Sequence, residues 1–110
     1  MIEPAVLAAL LRDSGHGYDL RKTIEELGGG SISVDPGGLY RTLRRLEDDG
    51  FVKSSWAEGA AGPQRRTYEL TTDGRDLACE WVTHLRSRAS ASMQIADLLE
   101  QGLTEGGAER

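Results

Sequence analysis

The sequence predicts a mostly α-helical protein with one small β-hairpin, and three observations predict it. Apolar residues recur three and four positions apart through four separate segments. Two short stretches rich in β formers, FVKSSWAE (51–58) and RRTYEL (65–70), flank the glycine-bearing GAAGPQ. A final apolar stripe runs from Leu77 to about residue 100, longer than a body of about 70 residues can cover.

The first helix is read from MIEPAVLAALLRD, with Pro4 in its first turn and Ala5, Val6, Leu7, Leu10 and Leu11 at helical spacing, and it stops at Ser14-Gly15. The second comes from HGYDLRKTIEELGGG, where His16 opens the segment and Leu20, Ile24 and Leu27 form one stripe. Tyr18, Arg21, Lys22 and Glu25 lie outside that stripe, and the glycines end it. Gly28-Gly29-Gly30 reads as a turn, because no lysine follows it and a helix, not a strand, precedes it.

DPGGLYRTLRRLEDDG, Asp35 to Gly50, has its own punctuation. Asp35 suits an N-cap, Pro36 the first helical position and Gly50 the position just past the end, so a helix is expected over about 36–49. At 100° per residue Leu39, Leu43 and Leu46 share one apolar arc, while Arg41, Arg44 and Arg45 spread over the opposite arc with Tyr40 on its flank. Glu47, Asp48 and Asp49 crowd the last turn, the unfavourable end for acids.

In the hairpin, Val52, Ser54 and Trp56 alternate against Phe51, Lys53 and Ser55, Trp56 and Tyr68 are placed to face each other, and the loop exit carries Gln64, Arg65 and Arg66. Thr71 or Thr72 then caps a fourth helix with Asp73 in its first turn. Its stripe is Leu77, Trp81, Leu85, Ile95, Leu98 and Leu99; a helix ending near residue 100 spans roughly 40 Å, and part of it is expected to pack on a second copy. QGLTEGGAER reads as a frayed tail.

At 110 residues the chain is short for an enzyme with a deep cleft. No apolar run approaches the roughly 20 residues of a membrane span, and the acid near the N-terminus is unlike a signal peptide, so the sequence reads as mature and cytoplasmic. Cys79 is the single cysteine; it excludes an internal disulfide and reads as a small core residue. No cofactor loop or four-ligand metal pattern is present, and no cofactor or metal is expected.

The formal charge is −5, but it is uneven: residues 1–35 carry three basic and six acidic groups, 36–66 six and four, and 67–110 four and eight. Only the middle third is positive. Three helices, a hairpin and a long trailing helix are the layout of a winged helix-turn-helix (1–71) with a dimerisation helix (72–100) and a flexible tail (101–110). In such folds the second helix of the pair enters the major groove, and arginine's planar fork suits guanine edges and phosphates. That makes Arg41, Arg44 and Arg45 candidate readers, with Arg65, Arg66 and Gln64 as wing contacts. Tyr18, Lys22, Gly38 and Tyr40 complete the candidate DNA-facing set; Tyr18 equally suits packing between helices. The plain alternative for the arginines is a solvated face paired to Glu47 or Asp48.

HGYDL (16–20), DPGGLYRTLRRLEDDGFV (35–52) and GPQRRTYELTTDGR (62–75) together resemble the PadR-like family of transcriptional regulators, over roughly residues 4–100. The resemblance implies a winged-helix homodimer, usually a repressor, that binds a pseudopalindromic double-stranded DNA operator and is often released by a small molecule. Asp35 stands where that family usually has Ser or Thr, and Gly38 and Arg41 where it usually has threonine and proline. The resemblance also implies a flat aromatic effector held against tryptophan, for which Trp81 is the candidate; core or dimer packing is the plain alternative. Leu77, Trp81, Leu85 and Leu99 are the expected dimer or supporting residues. No catalytic arrangement is recognisable, and the rival to DNA binding is a winged-helix module whose arginines meet an acidic protein.

Overall fold

The computed structural model of the protein describes residues 2–12, 15–27, 33–56 and 66–108, with side chains at 2–12, 20–27, 33–56 and 66–106. The chain forms two compact units, Met1–Cys79 and Glu80–Arg110. The elements in order are α1 (Ile2–Arg12), β1 (Gly15–His16), α2 (Gly17–Leu27), α3 (Pro36–Asp48), β2 (Val52–Trp56), β3 (Arg66–Leu70) and α4 (Thr72–Ala108).

In the first unit α1 packs against α2, α3 and β3, and α3 also packs against α2 and β2. The core is Val6, Leu7, Ala9 and Leu10 from α1, Leu20 and Ile24 from α2, Val34, then Leu39, Leu43 and Leu46 from α3, closed by Val52 and Tyr68 from the strands. The helical members are apolar positions at helical spacing, and burying each valine, leucine or isoleucine side chain contributes about 1.5–3 kcal/mol. Leu11 and Leu27, at the helix ends, remain partly exposed.

Both ends of α3 are closed as its punctuation predicts. Asp35 has extended backbone (φ −72°, ψ 125°), and its Oδ2 accepts from the Gly38 amide at 3.0 Å. At the other end Gly50 takes φ +83°. The Gly50 amide donates to Glu47 O (3.0 Å) and the Phe51 amide to Leu46 O (2.9 Å), the paired bonds of a Schellman ending.

β3 is central in a three-stranded antiparallel sheet ordered β1-β3-β2. The strand β1 differs from expectation: the backbone at His16 does not open a helix but pairs with Thr67, as Gly15 pairs with Tyr68. Two residues show no period, so this strand leaves no mark in the sequence. The β2–β3 register also corrects one pairing, because Tyr68 lies opposite Ser54, and Trp56 opposite Arg66. Aromatic preference pointed to Trp56 with Tyr68, but register is set by the turn. The Gly28–Gly30 turn and the loop with Gln64 and Arg65 lie outside the described residues.

Of the two candidate caps for α4, Thr71 is the one used. Its Oγ1 accepts from the Gly74 amide at 3.1 Å and donates to Gly50 O at 2.7 Å, joining the helix start to the α3 turn. α4 runs on to Ala108, past the end near residue 100 that the sequence suggests. Thr104 Oγ1 donates back to Glu100 O (2.9 Å) and Gln101 Nε2 to Glu105 Oε1 (3.4 Å), contacts that helical spacing permits in the polar last turns. Cys79 is exposed, not a core residue; it sits on the side of α4 away from the Leu77 stripe.

Gly74 sits where a β-carbon would lie 2.1 Å from Phe51 O and 2.9 Å from Leu70 Cδ2, whereas at Gly102 nothing comes within 4 Å. Gly74→Ala is therefore expected to destabilise by about 1–3 kcal/mol through overpacking against backbone. Gly102→Ala is expected to stabilise by up to about 1 kcal/mol through helix propensity. Urea unfolding at one fixed protein concentration checks both signs.

Candidate nucleic-acid interface

The packing of α3 sets where its charges point. With Leu39, Thr42, Leu43 and Leu46 buried, a 100° step per residue puts Gly37, Arg41, Arg44 and Asp48 on the arc opposite the core, Arg45 on one flank, and Tyr40 and Glu47 on the other. Arg41, Arg44, Arg45 and Tyr40 are all exposed.

The three arginines have different surroundings. Arg41 reaches back along the start of the helix, with Nη2 3.8 Å from Asp35 Oδ2 and both side chains more than 70% exposed (79% and 74%). The guanidinium lies close over this glycine pair: a β-carbon at Gly37 would stand 3.3 Å from Arg41 Nη1, a tight contact with a flexible side-chain end, and one at Gly38 3.7 Å from Nη2, an ordinary one. Such an exposed pair contributes about 0–1 kcal/mol and is readily exchanged for another anion. Arg45 instead donates from Nη2 to Glu3 Oε1 of α1 at 2.7 Å, with Glu3 only 20% exposed. Arg44 makes no hydrogen bond or ion pair among the described residues, although its charge acts on Tyr68.

The wing flank is denser. Arg66 Nε donates to Ser54 Oγ at 2.9 Å, and Ser54 Oγ donates to Glu47 Oε2. The Arg66 guanidinium also lies over the Trp56 ring, 5.1 Å from its centroid. Tyr68 is buried beneath, and burial pushes its phenol above the ordinary range, against the opposing pull of Arg66. Lys53 is turned to the other sheet face, 3.3 Å from Glu69. Lys22 is exposed on α2. The side chain of Tyr18, and all of Gln64 and Arg65, lie outside the described residues.

The acids thus pair differently from the local scheme of Arg41 or Arg44 with Asp48. Asp35 takes Arg41, Glu3 takes Arg45 and Glu47 takes Arg66. None of the three was open to a spacing argument, since Asp35 and Arg41 stand six positions apart and the other pairs bring together separate elements. The Trp56–Arg66 stack follows once the strand register is known.

In the second unit Trp81 and His84 meet edge to face, with ring centroids 5.4 Å apart. Trp81 and Leu85 are half-buried. Beyond them Met93, Ile95, Leu98, Leu99 and Leu103 are each 58–76% exposed. At 100° per residue Ile95, Leu99 and Leu103 continue the stripe begun by Trp81 and Leu85, with Leu98 beside it.

Comparison with known proteins bears on this arrangement. Residues 6–80 match the family model of the transcriptional regulator PadR-like family. The chain is 31% identical over 83 residues to the transcriptional regulator YqjI of Escherichia coli, which covers 76% of this chain and 36% of that protein. The chain therefore spans little more than a third of the length of that relative. PadR of Bacillus subtilis, solved in complex with operator DNA, superposes with a TM-score of 0.66 at 25% identity, over 74% of this chain and 46% of that one. A PadR family regulator from Clostridium difficile R20291 gives a TM-score of 0.75 at 25% identity, over 86% of this chain and 96% of that one. By the family match across most of its length, and by a fold shared with these regulators, this chain belongs to the PadR-like family of transcriptional regulators.

Proposed function

We propose that the protein is a sequence-specific DNA-binding transcriptional regulator, a homodimeric repressor in the cytoplasm that occupies a pseudopalindromic operator. The observation that carries this reading is the two-faced α3: one side is sealed into the core, and the other presents Arg44 and Arg41 beside a glycine-bared N-terminus. The major groove admits one helix, and helix-turn-helix readers use the N-terminal part of the second helix. Arg44, which makes no hydrogen bond or ion pair among the described residues, is the base reader, and Arg41 exchanges its loose contact with Asp35 for a base edge or a phosphate. Arg45, tied to Glu3, steadies α3 on α1 and sits nearer the backbone. Tyr40, Lys22, Tyr18, Gln64, Arg65 and Arg66 supply surrounding phosphate or minor-groove contacts.

Dimerisation is supported by the apolar residues of the second unit. Ile95, Leu98, Leu99 and Leu103 are too many to leave in water on one helix, and a symmetric second copy is the commonest cover. Trp81 and Leu85, in the same unit, lie on the same stripe. A dimer places two copies of α3 on half-sites about one helical turn apart. Release by a planar aromatic effector at Trp81 completes the reading and rests on family membership alone.

Two outcomes check these assignments. In titrations of a duplex selected by this protein from a random library, Arg44→Ala is expected to lose about 1–3 kcal/mol of preference over a scrambled duplex. Arg45→Ala is expected to lose less preference and about 1 kcal/mol of folding stability; equal losses of preference would remove Arg44 as the reader. In sedimentation, Ile95→Glu combined with Leu99→Glu is expected to convert a dimer into a folded monomer. A variant that still sediments as a dimer would move the interface elsewhere.

A further inference from the structure

The wing is joined to α3 by a polar chain that reading DNA with the helix does not itself require. Arg66 Nε donates to Ser54 Oγ at 2.9 Å and that hydroxyl donates to Glu47 Oε2, while Arg66 Nη2 stands 3.9 Å from the same carboxylate oxygen. Trp56 covers the guanidinium face at 5.1 Å. Glu47 and Arg66 are 31% and 46% exposed, so the contact is partly sheltered from water. Glu47 lies in the last turn of α3, where a negative charge opposes the helix dipole, and beside a surface meant for phosphates, where it repels them. On both counts an acid there is unfavourable unless holding Arg66 offsets it.

We propose that Glu47 is a specificity-determining residue that acts through position: with Ser54 and Trp56 it holds Arg66 in one orientation relative to α3. This rests on the DNA-binding reading and deepens it. An arginine free on its long stem finds a phosphate on any duplex, and each phosphate neutralised adds about 0.9 to the salt dependence of binding, whatever the base sequence. An arginine fixed relative to α3 meets a phosphate or the minor groove only after α3 is seated in a groove that accepts it, and loses less side-chain freedom in doing so. The tether therefore ties the sequence-blind contact of the wing to the sequence-dependent contact of the helix.

The test measures affinity for the library-selected duplex and for a scrambled duplex of the same composition, each across a salt series, for the full chain and its variants. Glu47→Gln is expected to bind the scrambled duplex more tightly, with a salt slope steeper by about one, and to lose roughly tenfold in selected-over-scrambled preference, the worth of one charge-assisted contact. Asp49→Asn, which removes an exposed charge nearby without touching Arg66, is expected to raise both affinities together and leave the preference unchanged. In an Arg66→Gln background the Glu47 change is expected to have no further effect on preference, which a general weakening of the fold would not reproduce. Trp56→Phe, retaining a ring face, is expected to keep the preference that Trp56→Leu loses. Unchanged preference in Glu47→Gln, with the unaltered protein selective, overturns the tether alone. A protein that binds both duplexes equally before any substitution overturns the DNA reading and the tether with it.

Discussion

Leu39, Leu43 and Leu46, each no more than 1% exposed, lock α3 into the core and so fix its rotation about its own axis. A turn of that helix by one residue's step would carry a leucine into water at about 1.5–3 kcal/mol and drive an arginine inward at a larger cost. The Asp35 cap and the Gly50–Phe51 ending fix its length in the same way. Arg44 and Arg41 point outward because the leucines do not. The same packing delivers Glu47 to the wing and Arg45 to α1.

The negative formal charge and the basic helix are compatible once the acids are located. Asp35, Glu3 and Glu47 each stand against one arginine, so the positive third of the chain is partly neutralised at home. These contacts differ in strength. The one at Arg41 is long and solvated, that at Arg45 is short and half-sheltered, and Arg66 is held by a hydroxyl, a carboxylate and an indole together. Weakly held charges are available to a polyanion, and strongly held ones set geometry. Residues 67–110, with four basic and eight acidic groups, discourage loose adsorption to DNA.

Much of this was legible in the residues. Leucines three and four apart in 39–46, a proline after Asp35 and a glycine at 50 mark α3, its bounds and its buried face. Alternation marks β2 and β3. What escaped is what depends on partners distant in sequence: β1 has two residues and no pattern, and Glu3 meets Arg45 across 42 positions. Trp56 faces Arg66 and not Tyr68 because strand pairing, not aromatic preference, decides opposition. Cys79 is exposed because it falls off the α4 stripe, which a lone small residue cannot reveal. Leu103 carries the apolar stripe one turn past residue 100, and polar contacts at helical spacing in 100–105 continue the helix with it.

The central claim is that α3 enters the major groove with its outward arginines facing base edges. Methylation of guanine N7, which lies in that groove, tests it most directly when each modified position of the selected duplex is scored for loss of binding. Interference at guanines in two patches about one helical turn apart, on one face of the duplex, is the expected result. Binding indifferent to N7 methylation throughout, yet blocked by alkylation of phosphates, would place the arginines on the backbone and contradict it.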